Sequence, residues 1–155
     1  MTDKVVPIRG NELRAEVGGP VDEFRVTLAI YGETLDPRDI TKLVGLEPTQ
    51  SHMKGFQRRP ASVPAPTGGW FLTVEGHAPA SPSDAIESLL RRLPVEKEFW
   101  ESLTSSYEVQ LRVAMHTSGM NRGFEITPAA ADRVAATGIG LDFDLYFYGE
   151  DDHHV

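Results

Sequence analysis

The stretch YEVQLRVAMH, residues 107–116, alternates apolar and polar side chains along its whole length. One set of positions is apolar: Tyr107, Val109, Leu111, Val113 and Met115. The intervening set is largely polar: Glu108, Gln110, Arg112 and His116. A period of two is typical of a β-strand with one face on a core and the other in solvent. Because a sheet covered on both faces would read as a continuous apolar run, the alternation predicts a sheet with helices on one face only.

Three other stretches are predicted to form the remaining main strands, at residues 24–31, 70–76 and 139–148. In the second of these, either Trp70, Leu72 and Val74 or Phe71 and Thr73 face the core, and we favour the first set. The apolar positions expected to face inward in the last strand are Ile139, Leu141, Phe143, Leu145 and Phe147.

Helix starts are marked by a polar residue followed by proline, at Asp36-Pro37, Ser81-Pro82 and Thr127-Pro128. The polar side chain can accept a hydrogen bond from the first turn, and proline has no N–H to leave unpaired there. Gly45 and Gly138 fit the left-handed position that ends a helix. A shorter helix is predicted over residues 96–103. The first helix is expected to turn three apolar residues inward: Ile40, Leu43 and Val44.

These elements predict an α+β fold, a two-layer sandwich of about four largely antiparallel or mixed strands with helices on one face. We expect a flexible N-terminal arm (1–22), one domain (23–149) and a frayed acidic tail (150–155). Residues 46–68 are predicted to be loop, and a short strand within 52–56 stays open, as does whether the loop is ordered. Long loops in compact domains are usually functional or disordered. Similar strand–helix–strand patterns around Pro37 and Pro128 leave an internal duplication possible.

Composition narrows the classes of partner and cofactor. The 155 residues carry a net charge of −8 and no cysteine. An acidic chain is a poor match for nucleic acid, because phosphate binding needs clustered Lys and Arg. The lack of cysteine removes disulfides, thiolate metal ligands and thiol nucleophiles. No signal peptide is expected, and no apolar run is long enough to span a membrane, so we expect a cytoplasmic protein. No cofactor is expected.

An ordered series of motifs resembles a known bacterial family. The series is LDPRDITKLVGLEPTQSHMKG, then GGW, then a Leu-rich helix, then GFEITPAAADRVAATGIGLDFDLYFY. It resembles the family of domain of unknown function 4279, over roughly Phe24 to Tyr148. The resemblance implies the fold and carries no activity. The motif residues are Asp36, Pro37, Ile40, Leu43, Gly45, Leu46, Pro48, Thr49, Gly55, Trp70, Phe124 and Leu141.

A first candidate site is the loop that follows the first helix. It supplies an acid, a hydroxyl, an imidazole and three cations: Glu47, Thr49, His52, Lys54, Arg58 and Arg59. Guanidinium groups could recognise an anion or an acidic surface through forked hydrogen bonds. Alternatively, the loop is solvated and Glu47 and Thr49 hold turn hydrogen bonds. Trp70 is expected to be buried, or else to wall a pocket above this loop.

A second candidate site is the polar face of the sheet, where Arg112, His116, Asp142 and Asp144 are the site residues. Opposite charges on neighbouring strands would pair there and add stability. Alternatively, the face is a platform for a partner protein or a second copy of the chain. The residues expected on this face also include Arg25, Thr27, Glu108 and Gln110, with Tyr31, Tyr146 and Tyr148 as aromatic anchors.

Catalytic and metal motifs are not evident. The sequence has no G-x-S-x-G elbow and no metal-binding spacing, so neither catalytic residues nor a metal site is predicted. Asp142 and Asp144 form a carboxylate pair of a kind that an exposed strand produces routinely.

Two functions therefore remain. The first is a non-catalytic protein-binding module of the immunity or accessory type, and a homodimer is possible. The second is a small-molecule or anion-binding domain, or a weak enzyme, with a pocket at residues 46–70. A closed cleft lined by Glu47, His52 and Arg58 would favour a ligand, and a flat polar face would favour a partner.

Overall fold

The computed structural model describes residues 19–119 and 121–148, which form five strands and four helices. The strands are β1 (Glu23–Gly32), β2 (Gln50–His52), β3 (Gly68–His77), β4 (Glu108–Thr117) and β5 (Leu141–Phe147). The helices are α1 (Pro37–Val44), α2 (Pro82–Arg91), α3 (Lys97–Ser106) and α4 (Pro128–Thr137). None of these helices is long and apolar enough to cross a membrane.

The five strands form one mixed sheet in the order β2-β3-β1-β4-β5. The β1–β3, β1–β4 and β2–β3 pairs are antiparallel, and β4–β5 is parallel. The α+β prediction is therefore confirmed, with β2 as an additional short edge strand. It begins two residues before the 52–56 segment considered from the sequence and overlaps it at His52.

The helices cover one face of this sheet and enclose the core. On β1 the inward residues are Val26, Leu28 and Ile30, and all three are buried. They pack with β3, β4 and the helices in one hydrophobic cluster. The opposite face of the sheet carries no helix among the described residues, as the strand alternation predicts.

The helix boundaries follow their predicted capping residues. The Asp36 carboxylate accepts from the Arg38 N–H at 3.0 Å, and Thr127 caps α4 in the same way through Ala130. Ser81 and Asp84 form a reciprocal capping box at α2. Gly45 and Gly138 adopt the left-handed conformation, with φ of 80° and 69°. The prediction for Leu43 is wrong, because Leu43 is 48% exposed while Ile40 and Val44, one turn apart, share the buried stripe.

The N-terminal boundary of the domain differs from the expectation. Residues 19–22, assigned from the sequence to the arm, belong to the fold: Gly19 bridges to Arg122, and Val21 is buried in the core cluster. The remainder of the arm, residues 1–18, and the tail, residues 150–155, lie outside the described residues.

The prediction that β5 turns its apolar residues into the core is wrong for most of the strand. Leu141 packs partly against the core, but Leu145 is 73% exposed and Phe147 is 57% exposed. The alternation correctly gives the side of the sheet that each side chain faces. The error is the assumption that helices cover that side at β5. The strand lies at the sheet edge, beyond the helices that cover β1 and β3.

Candidate functional site: the open face of the sheet

A row of aromatic side chains crosses the open face of the sheet from β2 to β4. We call it the aromatic strip. It consists of the rings of Phe56, His52, Phe71 and Tyr31, with the guanidinium group of Arg112 at its end. Successive ring centroids lie 6.0 Å apart for Phe56 and His52, 5.6 Å for His52 and Phe71, and 5.4 Å for Phe71 and Tyr31. The Arg112 guanidinium carbon completes the row, 5.5 Å from the Tyr31 ring centroid. Its members come from β1, β2, β3, β4 and the loop after β2, so only the tertiary fold brings them together.

A glycine beneath the strip makes room for these rings. Gly69 is paired in register with both Tyr31 and His52. A Cβ atom on Gly69 would lie 2.6 Å from the His52 ring and 2.8 Å from the Phe71 ring. The absence of a side chain at Gly69 therefore lets the His52 and Phe71 rings pack over β3 at this position.

Arg112 is held over Tyr31 by a chain of hydrogen bonds along β4. Its Nε–H donates to the Gln110 side-chain oxygen at 2.8 Å, and the Gln110 amide donates to Glu108 at 2.6 Å. Opposite Arg112 in register lies Asp142. The guanidinium nevertheless turns toward Gln110 and Tyr31, so the expected pairing of charges between β4 and β5 is replaced by a cation–π contact.

The rest of the open face is largely polar, and part of it is exposed. Arg25 pairs with Glu75 at 2.9 Å, as opposite charges on neighbouring strands were expected to do, and Thr27 bonds Thr73 at 2.9 Å. The Arg25–Glu75 pair is solvent-exposed, and ion pairs of this kind add little stability.

His116 forms a second stack at the far side of the sheet. Its ring lies between Tyr146 and Tyr148, with centroid distances of 4.8 Å and 5.6 Å. The His116 Nδ1 is 3.1 Å from the Tyr148 hydroxyl. Asp142 and Asp144 are exposed on β5, on the same side of the sheet as Tyr146.

The loop candidates do not converge on one cleft. His52 lies on the open face, whereas Glu47 lines a shallow groove of about 650 Å³ beside α1 and Arg58 lies on an exposed turn. Thr49 donates through both its N–H and its hydroxyl to the Phe71 carbonyl, at 2.8 and 3.0 Å. The closed cleft that would favour a ligand is therefore not formed by these residues.

The cations of the loop have separate surroundings. Lys54 pairs with Glu33 at 2.7 Å, and the hydrogen bond and charge of Lys54 lower the pKa of the Glu33 carboxyl. The Arg59 N–H donates to Ser62 Oγ at 3.1 Å within the turn. Neither contact creates an anion pocket.

Trp70 does not wall a pocket. It is fully buried, and its indole N–H donates to the Thr41 hydroxyl on α1 at 3.0 Å. The inward orientation predicted for Trp70 is correct, and it removes the indole from any surface site. The two glycines before Trp70 avoid clashes on different faces of the sheet. A Cβ atom on Gly68 would contact the Leu35 carbonyl oxygen, and a Cβ atom on Gly69 would contact the His52 and Phe71 rings.

Two members of the aromatic strip escaped the sequence reasoning. Phe71 could have been found, because an inward Trp70 and Leu72 place Phe71 on the open face. Phe56 carried no such signal, since it follows a three-residue strand inside a stretch that reads as loop. Among the described residues, no group of three His, Asp or Glu side chains is arranged to hold a metal ion.

The family model for Domain of unknown function (DUF4279) matches residues 22–148 of this chain. The chain belongs to the DUF4279 family. The match spans the strands, the helices and the open face of the DUF4279 domain, and it begins within the segment 19–22 that the structure adds to the fold. No curated protein and no solved structure matched the chain in comparison.

Proposed function

We propose that this DUF4279 domain is a non-catalytic protein-binding module, of the immunity or accessory type, that engages a partner through the open face of its sheet. The aromatic strip with Arg112 at its end carries this proposal. Tyr, Trp and Arg side chains provide a disproportionate share of binding energy in protein interfaces. Here a Tyr and an Arg lie together with three other rings on a face that no described helix covers.

The strip is also preorganised. Each of its rings contacts the next, and Arg112 is aligned by Gln110. Binding normally costs free energy for ordering interface side chains. Since these side chains are already held in one arrangement, less ordering is required when a partner binds.

Charge around the strip selects the partner. Three acidic side chains of the open face lie on β4 and β5, at Glu108, Asp142 and Asp144, whereas the cation Arg112 belongs to the strip. We expect a partner that presents apolar or aromatic groups to the strip and basic groups to β5. Complementary charges mainly speed association and exclude wrong partners.

The alternative, a small-molecule or anion site, would use the groove between α1 and residues 47–51. The groove contains both Asp36 and Arg38, but these two side chains pair with each other at 2.7 Å. An anion would have to displace this pair from Arg38. The aromatic strip requires no such rearrangement, and for this reason we favour the protein-binding function.

Affinity capture with matched variants tests the proposal. The tagged wild-type chain, Phe56→Ser, Tyr31→Ala and the control Val63→Ser are used as baits in parallel. Phe56 is 52% exposed and Val63 is 87% exposed, so neither change opens the core. A partner of the open face is captured by the wild type and the control, and its affinity for Tyr31→Ala falls about 30-fold or more.

Urea unfolding of each variant separates lost binding from lost folding. The proposal is contradicted if every specifically captured protein binds the two strip variants as tightly as the wild type.

A further inference from the structure

The outer edge of β5 offers a row of free backbone hydrogen-bonding groups. The Tyr148 N–H donates to the Thr117 carbonyl at 2.9 Å, so Tyr148 directs its backbone toward β4. Because the direction of the backbone groups alternates along a strand, the N–H and C=O groups of Tyr146 and Asp144 also point toward β4. The N–H and C=O groups of Phe143, Leu145 and Phe147 point toward the outer edge. No described residue pairs with that edge, where the sheet ends.

The side chains of β5 are unusually apolar for an exposed edge. Five of the ten large hydrophobic side chains that are exposed among the described residues lie between Phe143 and Tyr148. Leu145 and Phe147 also line an open apolar groove of about 350 Å³ with Met115 and Phe124. The other edge, β2, is only three residues long, whereas β5 pairs regularly over seven.

Edge strands that must stay single are usually short, bulged or protected by Lys or Pro. Residues 141–147 contain neither Lys nor Pro, and the register with β4 runs without a bulge. The two acids on β5, Asp142 and Asp144, both project on the open face. They can therefore restrict how another strand pairs without preventing pairing.

We propose that two copies of the chain associate through β5, with the two strands antiparallel about a two-fold axis at Leu145. The two sheets would join into one sheet of ten strands. In this register Leu145 opposes its own copy and Phe143 opposes Phe147, so the edge-facing backbone groups bond to one another. The apolar side chains of both copies form one row on the helix side.

The charges of β5 disfavour two of the alternative registers. An axis at Asp144 would place that residue against its own copy, and an axis at Phe143 would place Asp142 against Asp144. Like charges directly opposed across two strands destabilise pairing. With the axis at Leu145, Asp144 opposes Tyr146 and Asp142 opposes Tyr148, and no two carboxylates meet.

Single-cysteine variants test both the dimer and its register, since the chain has no cysteine of its own. Opposed residues in a hydrogen-bonded antiparallel pair have Cα atoms about 5.5 Å apart, within the range of a disulfide. Under mild oxidation, Leu145→Cys is expected to form a disulfide-linked dimer by itself. Phe143→Cys and Phe147→Cys are expected to crosslink as a mixture and not alone, while Val63→Cys, on an exposed loop, stays free of disulfide crosslinks.

Sedimentation velocity supplies an independent measurement. Leu145→Asp is expected to weaken the dimer by at least about tenfold in dissociation constant, because it adds a charge at the centre of the apolar row. Leu43→Asp, an exposed apolar residue on α1, serves as the control and leaves the dimer intact.

Three results would overturn the proposal. The first is a wild-type chain that is monomeric at high concentration, and the second is a disulfide crosslink of Phe143→Cys with itself. The third is a Leu145→Cys chain that forms the disulfide-linked dimer only when residues 1–18 are deleted. The last result would mean that the chain covers its own edge. The aromatic strip is not altered by any of these variants, so the outcome is separate from that of the proposed function.

Discussion

Trp70 links the helix layer to the sheet through one hydrogen bond. The fully buried indole lies on β3, and its N–H reaches the Thr41 hydroxyl on α1. A buried donor without a partner costs free energy because it has lost its hydrogen bonds to water. Trp70 and Thr41 thus set the position of α1 over β3.

We expect Thr41→Val to lower the free energy of unfolding by about 1–3 kcal/mol, since valine keeps the shape and removes the acceptor. Thr104→Val is the control, because Thr104 is exposed and its hydroxyl only donates to carbonyls within α3. Its effect should stay within about 0.5 kcal/mol. Urea unfolding measures both changes, and equal losses in the two variants would show that the Trp70 bond contributes nothing specific.

Asp22 connects the start of β1 to the segment after β4. Its carboxylate accepts from the Ser118 N–H at 2.7 Å and from the Ser118 hydroxyl at 3.1 Å. These hydrogen bonds, with the nearby charge of Arg122, hold the pKa of the Asp22 carboxyl below its ordinary value. A carboxyl whose pKa is lowered by folding stabilises the folded state above its unfolded pKa, and this contribution disappears as the pH falls through the folded pKa.

Asp22→Asn is therefore expected to be less stable than the wild type at pH 7. The difference should shrink as the pH falls below about 4, where the wild-type carboxyl takes up its proton. Urea midpoints measured from pH 7 to pH 2.5 give the comparison. A difference that stays constant over this range would mean that the ionised carboxylate is not its source.

The glycines that end α1 and α4 act through backbone conformation alone. At Gly45 and Gly138 a Cβ atom would meet nothing within 4 Å, yet both residues have positive φ. A side chain at such a position is strained by its own backbone. Gly140, three residues after the end of α4, has equal space and no positive φ.

We expect Gly45→Ala to destabilise the protein by about 1–2 kcal/mol. Gly140→Ala should be close to neutral, or slightly stabilising because it restricts the unfolded chain. Thermal or urea unfolding of the two variants isolates the conformational effect. If both variants lose the same stability, the left-handed cap is not responsible.

Elements with local signals could be predicted from the sequence. The three Pro-initiated helices began at their predicted residues because capping needs only residues within one turn. The exposure of Leu145 could not be predicted, because alternation gives the side of the sheet and not the width of the helix layer above it. Strand β2 was missed as a firm element, since three residues carry no usable period.

The aromatic strip belongs to the whole molecule, and its assembly depends on register. Tyr31, Phe71 and His52 become neighbours because β1, β3 and β2 pair at particular residues. A sequence gives the outward face of each strand but not which positions lie opposite one another. The second candidate face was therefore visible from the sequence, whereas the row of contacts across it was not.

Site-specific photo-crosslinking in cells tests the central claim, that the aromatic strip is the partner-binding surface. A photoreactive phenylalanine analogue replaces Phe56, and in a separate chain it replaces Val95, which is 70% exposed just before α3. We predict that Phe56 yields a discrete adduct with another protein and that Val95 yields none. Adducts at Val95 with none at Phe56 would contradict the account.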